Sequence, residues 1–306
     1  MTSGDAVLSA SQEGVAQQLE AFRRPSGRTR RLLRIARQKP LGTISFVIIV
    51  VLVATALFAP LIAPYDPTLT NPRIKLHGSS AAHLFGTDNL GRDVFSQIVY
   101  GARTSLWAGV TATIFGTILG SLIGMASGYA GGRVDMVIQR CMDALQALPL
   151  IVLLLVVVVA VGPSLWNIIW ALSIGILPAA GRIIRGNALS VKTETYIEAA
   201  RVVGCRPWRI LFRHVLPNVM AYILVIASVT IGGAILAEAG LSFLGLGVPP
   251  PTPSWGGMLT NSGRRFFETQ PSLALYPGLA ITITVLAFNL LGDTLRDVLD
   301  PRLRGR

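Results

Sequence analysis

The stretch TSLWAGVTATIFGTILGSLIGMASG, residues 104–128, runs 25 residues without one charged side chain. As an α-helix it would reach about 37 Å, more than the roughly 30 Å hydrocarbon core of a bilayer. Within it Ala108, Ala112, Gly116, Gly120, Gly124 and Gly128 recur at every fourth position, so one helix face is almost bare of side chains. A second helix can approach such a face very closely. A static packed bundle and a contact that slides during transport both fit this stripe, and pattern alone leaves both readings open.

Similar apolar runs occupy residues 41–63, 141–161, 165–184, 219–237 and 273–291. The first ends at the breaker-rich APYDP of residues 63–67. No charged residue occurs between 144 and 181, which is too long for one helix, and Gly162-Pro163 divides it. Of the 306 residues 52% are hydrophobic and 14% charged, against roughly 25% charged in soluble domains. The expected fold is therefore all-α and polytopic, with about six transmembrane helices. A basic segment over 1–40 precedes a transmembrane domain over 41–306, and a polar loop over 185–217 divides that domain.

Lys and Arg number 27 against 15 Asp and Glu, giving +12. With the N-terminus in the cytoplasm, all but six of the 27 (Arg73, Lys75, Arg92, Arg103, Arg264, Arg265) fall on the cytoplasmic side, as basic loop residues do in membrane proteins. Both termini are then cytoplasmic. The surplus charge needs no nucleic-acid partner, only a membrane surface. Arg23, Arg24, Arg28, Arg30, Arg31, Arg34, Arg37 and Lys39 precede an apolar run too long for a cleaved signal peptide. Residues 29–39 read as a basic helix on the lipid headgroups, and the first twenty or so residues as disordered. Cys141 and Cys205 form no Cys-x-x-Cys pair and are expected to be free thiols. His77 and His83 lack further ligands, so no metal site is expected.

No span carries a charge near its centre. Glu238 lies at the outer end of the fifth span, while Arg182, Arg185 and Asp293 lie near inner ends. Ion-coupled carriers bind the coupling charge at depth, so the pattern disfavours them. No catalytic constellation is present at membrane depth either, and the chain does not read as an enzyme. Lys39, Lys75 and Lys192 are the only lysines and none follows a glycine, which excludes a Gly-Lys-[Ser/Thr] phosphate loop. Any nucleotide motor, with its ATP and Mg²⁺, belongs to another subunit.

A docking point for such a motor lies in YIEAARVVGCRPWRILFRHVLP, residues 196–217. Residues 196–203 are helix formers, and Gly204 suits the left-handed position just past a helix end. Pro207 suits the first turn of a second short helix, expected to end before Pro217. Ala199 and Ala200 make a flat face flanked by Glu198 and Arg201. This pattern fits a helix received in a partner's groove, and equally an amphipathic helix lying on headgroups.

Over roughly residues 40–306 the sequence resembles ABC-importer permeases. Glu198, Ala199, Ala200, Gly204, Leu216 and Pro217 are similar to their cytoplasmic Glu-Ala-Ala loop. FGTDNLGRDVFS (85–96), LSFLGLGVPPPTPSWG (241–256) and NLLGDTLRDVLDPR (289–302) resemble the second, C-type permease of oligopeptide, dipeptide and nickel systems. The resemblance implies a transmembrane permease subunit forming half of a path for peptides or related small solutes in a bacterial inner membrane. It implies as partners a second homologous permease, two cytoplasmic ATPase subunits and an extracytoplasmic solute-binding protein. Coupling to the ATPases would fall to Glu198, Ala199, Ala200 and Gly204, with Arg201 and Arg206 beside them. Where family members commonly have a small or polar residue before the second helix, this chain has Cys205-Arg206-Pro207. Leu241, Phe243, Gly245, Gly247 and Trp255 are candidates for an outer gate or docking loop. The bland alternatives are a rigid linker and, for Trp255, an interfacial anchor. An autonomous channel or ion-coupled carrier is the competing class, and dependence of uptake on partner ATPases separates the two.

Overall fold

The computed structural model describes residues 39–299. The expected headgroup helix over 29–39 and the last residues of the terminal motif fall, apart from Lys39, outside the described residues. The first helix, α1 (Pro40–Leu57), has Pro40 in its opening turn, where a missing N–H is no loss. Leu41, Phe46, Val47 and Val51 are each more than half exposed, a surface that suits lipid rather than water. On its other side Gly42 lies so close to Thr294 that a Cβ would meet that side chain at 2.4 Å. A short turn, α2 (Ala59–Ile62), follows.

The longest helix, α3 (Val94–Ala130), starts at Asp93, whose carboxylate accepts from the Ser96 N–H at 2.7 Å. It stops at Gly131, whose φ of +69° a side chain would resist. Its main partner is α6 (Leu165–Lys192), which runs parallel to it. A Cβ at Gly116 would lie 2.8 Å from the Ser173 carbonyl, at Gly120 2.3 Å from that of Leu177, at Gly124 2.0 Å from that of Gly181, and at Gly128 2.9 Å from that of Arg185. The two backbones thus touch along successive four-residue steps on both helices. Ser173 Oγ donates across the seam to the Ala112 carbonyl at 3.2 Å.

Between these helices lie α4 (Gly132–Gln146) and α5 (Leu150–Val161), bent by 88° at the break. The span expected over 141–161 is corrected accordingly, because that stretch is not one helix. Pro149 donates no N–H and drives Leu148 out of the helical region. The 12 residues of α5 reach only about 18 Å, short of the bilayer core. Among the described residues, five helices (α1, α3, α6 and two introduced next) are long and apolar enough to cross a membrane, six if the bent pair counts as one span.

Beyond a short helix described below, α8 (Pro207–Phe243) is continuous. The second short helix expected to end before Pro217 does not end there. A proline within a helix loses one hydrogen bond and collides with the carbonyl four residues back. Here Leu211–Val215 widens into a π turn, with the Leu216 N–H on the Leu211 carbonyl, and the helix carries on past Pro217. After a Gly- and Pro-rich loop come one turn, α9 (Trp255–Met258), and the last helix, α10 (Ser272–Leu299).

Side chains fill the bundle in three layers. Met125, Ile184, Ile210 and Val215 fill the end near Gly204. Leu154, Ile168, Ile169 and Leu172 pack with Ala108 and Ala112 in the middle. Val94, Leu106, Ile235, Trp255 and Leu273 fill the opposite end. Lipid is as apolar as these side chains, so close packing rather than expulsion of water holds the layers together.

Candidate functional site

Two constellations stand at opposite ends of the bundle. At the first, α7 (Thr195–Val202) leaves the end of α6 as a separate two-turn helix. Its close is a double-bonded cap: Cys205 N–H donates to the Ala200 carbonyl at 3.0 Å and Gly204 N–H to that of Arg201 at 2.9 Å. Gly204 holds φ +82°. Pro207 then opens α8, so the chain turns sharply within four residues.

One fully buried side chain anchors α7 in the bundle. Ile197 is fully buried, packed in the layer with Ile184, Ala188, Ile210 and Val219. Glu198, Ala199, Arg201, Gly204 and Arg206 are exposed and Ala200 half-buried. Beside them Val202 and Val203 stand 87% and 82% exposed, and Trp208 62%, an apolar surface that none of the described residues covers. The six residues singled out from the sequence are thereby brought together around one turn.

Two further contacts tie this turn to the bundle, and the sequence alone did not single them out. The Arg201 guanidinium lies 5.3 Å from the Tyr129 ring centre, and Lys192 Nζ lies 5.7 Å from it. Tyr129 ends α3, so its electron-rich face joins α3, α6 and α7. Below it, Arg185 grips Asp135 with two nitrogens at 2.6 and 2.5 Å, and Ser127 bonds the same carboxylate. Arg201, nine residues past the helix end at Lys192, gave no hint of Tyr129, because cation–π partners share no sequence period.

At the other end, the motif of residues 85–96 folds into a compact knot. Asp88, buried, accepts from Leu90 N–H at 2.8 Å, Arg92 N–H at 2.9 Å, Arg92 Nε at 2.7 Å and Gln97 Nε2 at 3.0 Å. Asp93 also meets His83 Nδ1 at 2.9 Å. Gly91, at φ +76°, passes so near the Asn71 carbonyl that a Cβ would fall 1.9 Å away. Phe85 stacks on Tyr276 of α10 at 4.1 Å. These aspartates are structural, each fully occupied in closing the knot.

The candidate gate residues separate into two groups. Leu241 and Trp255 are buried, whereas Phe243 is exposed with Arg264 5.8 Å over its ring. Trp255 as an interfacial anchor is corrected, since it is 1% exposed. Its Nε1 donates to the Ile98 carbonyl at 3.0 Å, its N–H to Ser105 Oγ at 3.2 Å, and its ring sits in the gap left by Gly101. Gly245, at φ +87°, turns the chain, and Gly247 presses on Ser242 where no Cβ would fit. Next to them lies Glu238, 0% exposed. Ser242 Oγ donates to its Oε1 at 2.8 Å and Ser105 Oγ to its Oε2 at 3.2 Å, with the Ser254 hydroxyl alongside. The sequence reading placed this carboxyl at the outer end of the fifth span and gave it no role. The signal available was an ionisable residue in an apolar run with a serine four residues on.

Residues 116–305 match the family described as binding-protein-dependent transport system inner membrane component. Residues 27–79 match the N-terminal TM domain of oligopeptide transport permease C. The dipeptide transport system permease protein DppC of Alkalihalophilus pseudofirmus is 42% identical over 268 residues, covering 88% of each chain. The glutathione transport system permease protein GsiD of Shigella flexneri is 47% identical over 270 residues, 88% of this chain and 89% of that one. Among solved structures, an inward-facing form of the MetNI methionine ABC transporter superposes with a TM-score of 0.56 at 19% identity, covering 67% of this chain and 97% of the other. That likeness speaks to the fold alone.

Proposed function

The chain belongs to the family of binding-protein-dependent transport system inner membrane components, as an ABC-importer permease subunit, and from that premise we propose how it is oriented, coupled and supplied. The Gly204 end faces the cytoplasm and the Trp255 end faces outward. The bias of Lys and Arg towards the loops at the Gly204 end supports this orientation. The substrate is a dipeptide, glutathione or a similar short peptide, by likeness to relatives so named. The working assembly pairs this chain with a second permease, two ATPase subunits that carry ATP and Mg²⁺, and a solute-binding protein. An autonomous channel or carrier is set aside by the family membership.

The observation that carries the coupling role is the exposure of α7 together with its single buried anchor. Glu198, Ala199 and Arg201 are presented outward around an uncovered apolar surface with Ala200 half-buried behind them, while Ile197 fixes the helix to α6 and α8. A partner that displaces α7 moves the ends of both long helices, and through Arg201 on Tyr129 it moves α3 as well. Such rigid-body transmission is how packed helices carry a movement over distance.

The test is uptake and substrate-stimulated ATPase activity of the reconstituted assembly carrying Glu198→Lys or Gly204→Asp. Both variants should reach the membrane at normal yield, and both should lose uptake and stimulation. Gly204→Asp also strains a backbone at φ +82°, at a cost of about 1 kcal/mol. Normal uptake in both would remove the coupling role from this turn.

A further inference from the structure

The Glu238 carboxyl is fully buried, and among the described residues it pairs with no Lys, Arg or His. The other buried carboxylates are matched: Asp88 with Arg92, Asp93 with His83, Asp135 with Arg185. A carboxyl withdrawn from water without a basic partner is costly unless hydrogen bonds saturate it. Here Ser105 from α3 and Ser242 from α8 itself donate to it, and Ser254 at the start of α9 stands alongside. The same serines hold backbone. Ser105 Oγ accepts from Trp255 N–H at 3.2 Å, and Ser254 Oγ accepts from Gly257 N–H at 3.1 Å. Thr260 Oγ1 donates to the Ser242 carbonyl at 2.8 Å, and a Cβ at Gly256 would lie 2.6 Å from Ala239 Cα. The loop after α8 is therefore seated against α3 and α8 at backbone contact, with one carboxyl at the centre of the joint.

We propose that Glu238 is a positioning residue for transport, a latch that keeps α3, α8 and the α9 loop closed as one unit until the solute-binding protein acts on that end. This rests on the importer reading and on the outward placement of the Trp255 end. An opened joint leaves the three hydroxyls to find other partners, so its closed state depends on the acceptor at position 238. Loss of the acceptor shifts the balance towards the open form, and the assembly then hydrolyses ATP without the binding protein.

The experiment uses the whole reconstituted assembly, with alanyl-alanine and reduced glutathione as probe solutes, and measures ATPase activity with and without loaded binding protein. Glu238→Ala should raise the unstimulated rate by about 5- to 30-fold, the range expected when a buried hydrogen-bonded group is lost. The stimulated rate should change little, so the stimulation ratio collapses. Glu238→Gln, which keeps one acceptor and can donate to hydroxyls that rotate, should restore most of the ratio. If Glu238→Ala assembles poorly, Ser105→Ala and Ser242→Ala give the same reading with less disturbance, each raising the unstimulated rate. A merely structural role would lower both rates together in proportion to yield, and that result overturns the latch. Equal defects in the Gln and Ala variants overturn it also. Absence of any stimulation with the unsubstituted chain would instead count against the importer reading itself.

Discussion

Gly124→Ala tests the seam between α3 and α6. The added Cβ would lie 2.0 Å from the Gly181 carbonyl oxygen, 2.7 Å from its carbon and 2.8 Å from Gly181 Cα. All three are backbone atoms, so no side chain can rotate aside. Ordinary contact requires about 3.4 Å or more, so the helices must part locally by roughly 1 Å, at the overpacking cost of about 1–3 kcal/mol. The neighbouring approach of Gly120 to Leu177 would loosen with it. At about 2–4 °C per kcal/mol for a chain of comparable size, Tm should fall by about 2–12 °C. The measurement is thermal unfolding of the detergent-solubilised chain, followed by the fluorescence of its 5 tryptophans. Gly186→Ala is the control: none of the described residues lies within 4 Å of its Cβ, so the helix propensity of alanine should leave Tm equal or slightly higher. A Gly124→Ala chain that melts within about 1 °C of the unsubstituted one would refute the argument that the backbones touch here.

Two further outcomes follow from features at other depths. Tyr129→Leu removes the ring shared by Arg201 and Lys192 and should weaken stimulated ATPase activity about threefold, whereas Tyr129→Phe, which keeps the ring, should retain it; equal loss in both would place the effect outside the cation–π contact. Thr113 is fully buried with a hydroxyl that finds no partner among the described residues, so Thr113→Val should leave stability unchanged or raise it by about 1 kcal/mol, and a clear drop in Tm would show that the hydroxyl is in use.

The parts that could be read from sequence were those written in a period. Charge-free runs announced apolar helices, and the four-residue stripe from Ala108 to Gly128 announced a bare face, though not that α6 would fill it with its own backbone. Gly204 was legible because a helix end needs a left-handed residue and few others accept it. What escaped depended on partners distant in the chain. Trp255 reads as an amphipathic surface residue until Gly101 is seen to leave room for its ring. Pro217 reads as a stop, since nothing local tells that the five residues before it will widen by one. Glu238 is separated from Ser105 by 133 positions, and no pattern within either helix foretells that they meet. The break at Pro149 was written plainly enough, yet the charge-free run from Ala144 to Gly181 around it concealed it.

Helix α8 starts three residues past Gly204 and carries Glu238 near its far end, 37 residues that stay helical through the widened turn before Pro217. From Pro207 to Glu238 this amounts to about 47 Å of solid rod. News of what happens on one side of the bilayer therefore needs no relay of intermediate side chains to reach the other. Under the coupling proposed for α7, it would travel as the displacement of a single strut, with a fidelity set by the stiffness of that strut. The widened turn at Leu211–Val215 is then the one place along it built to give.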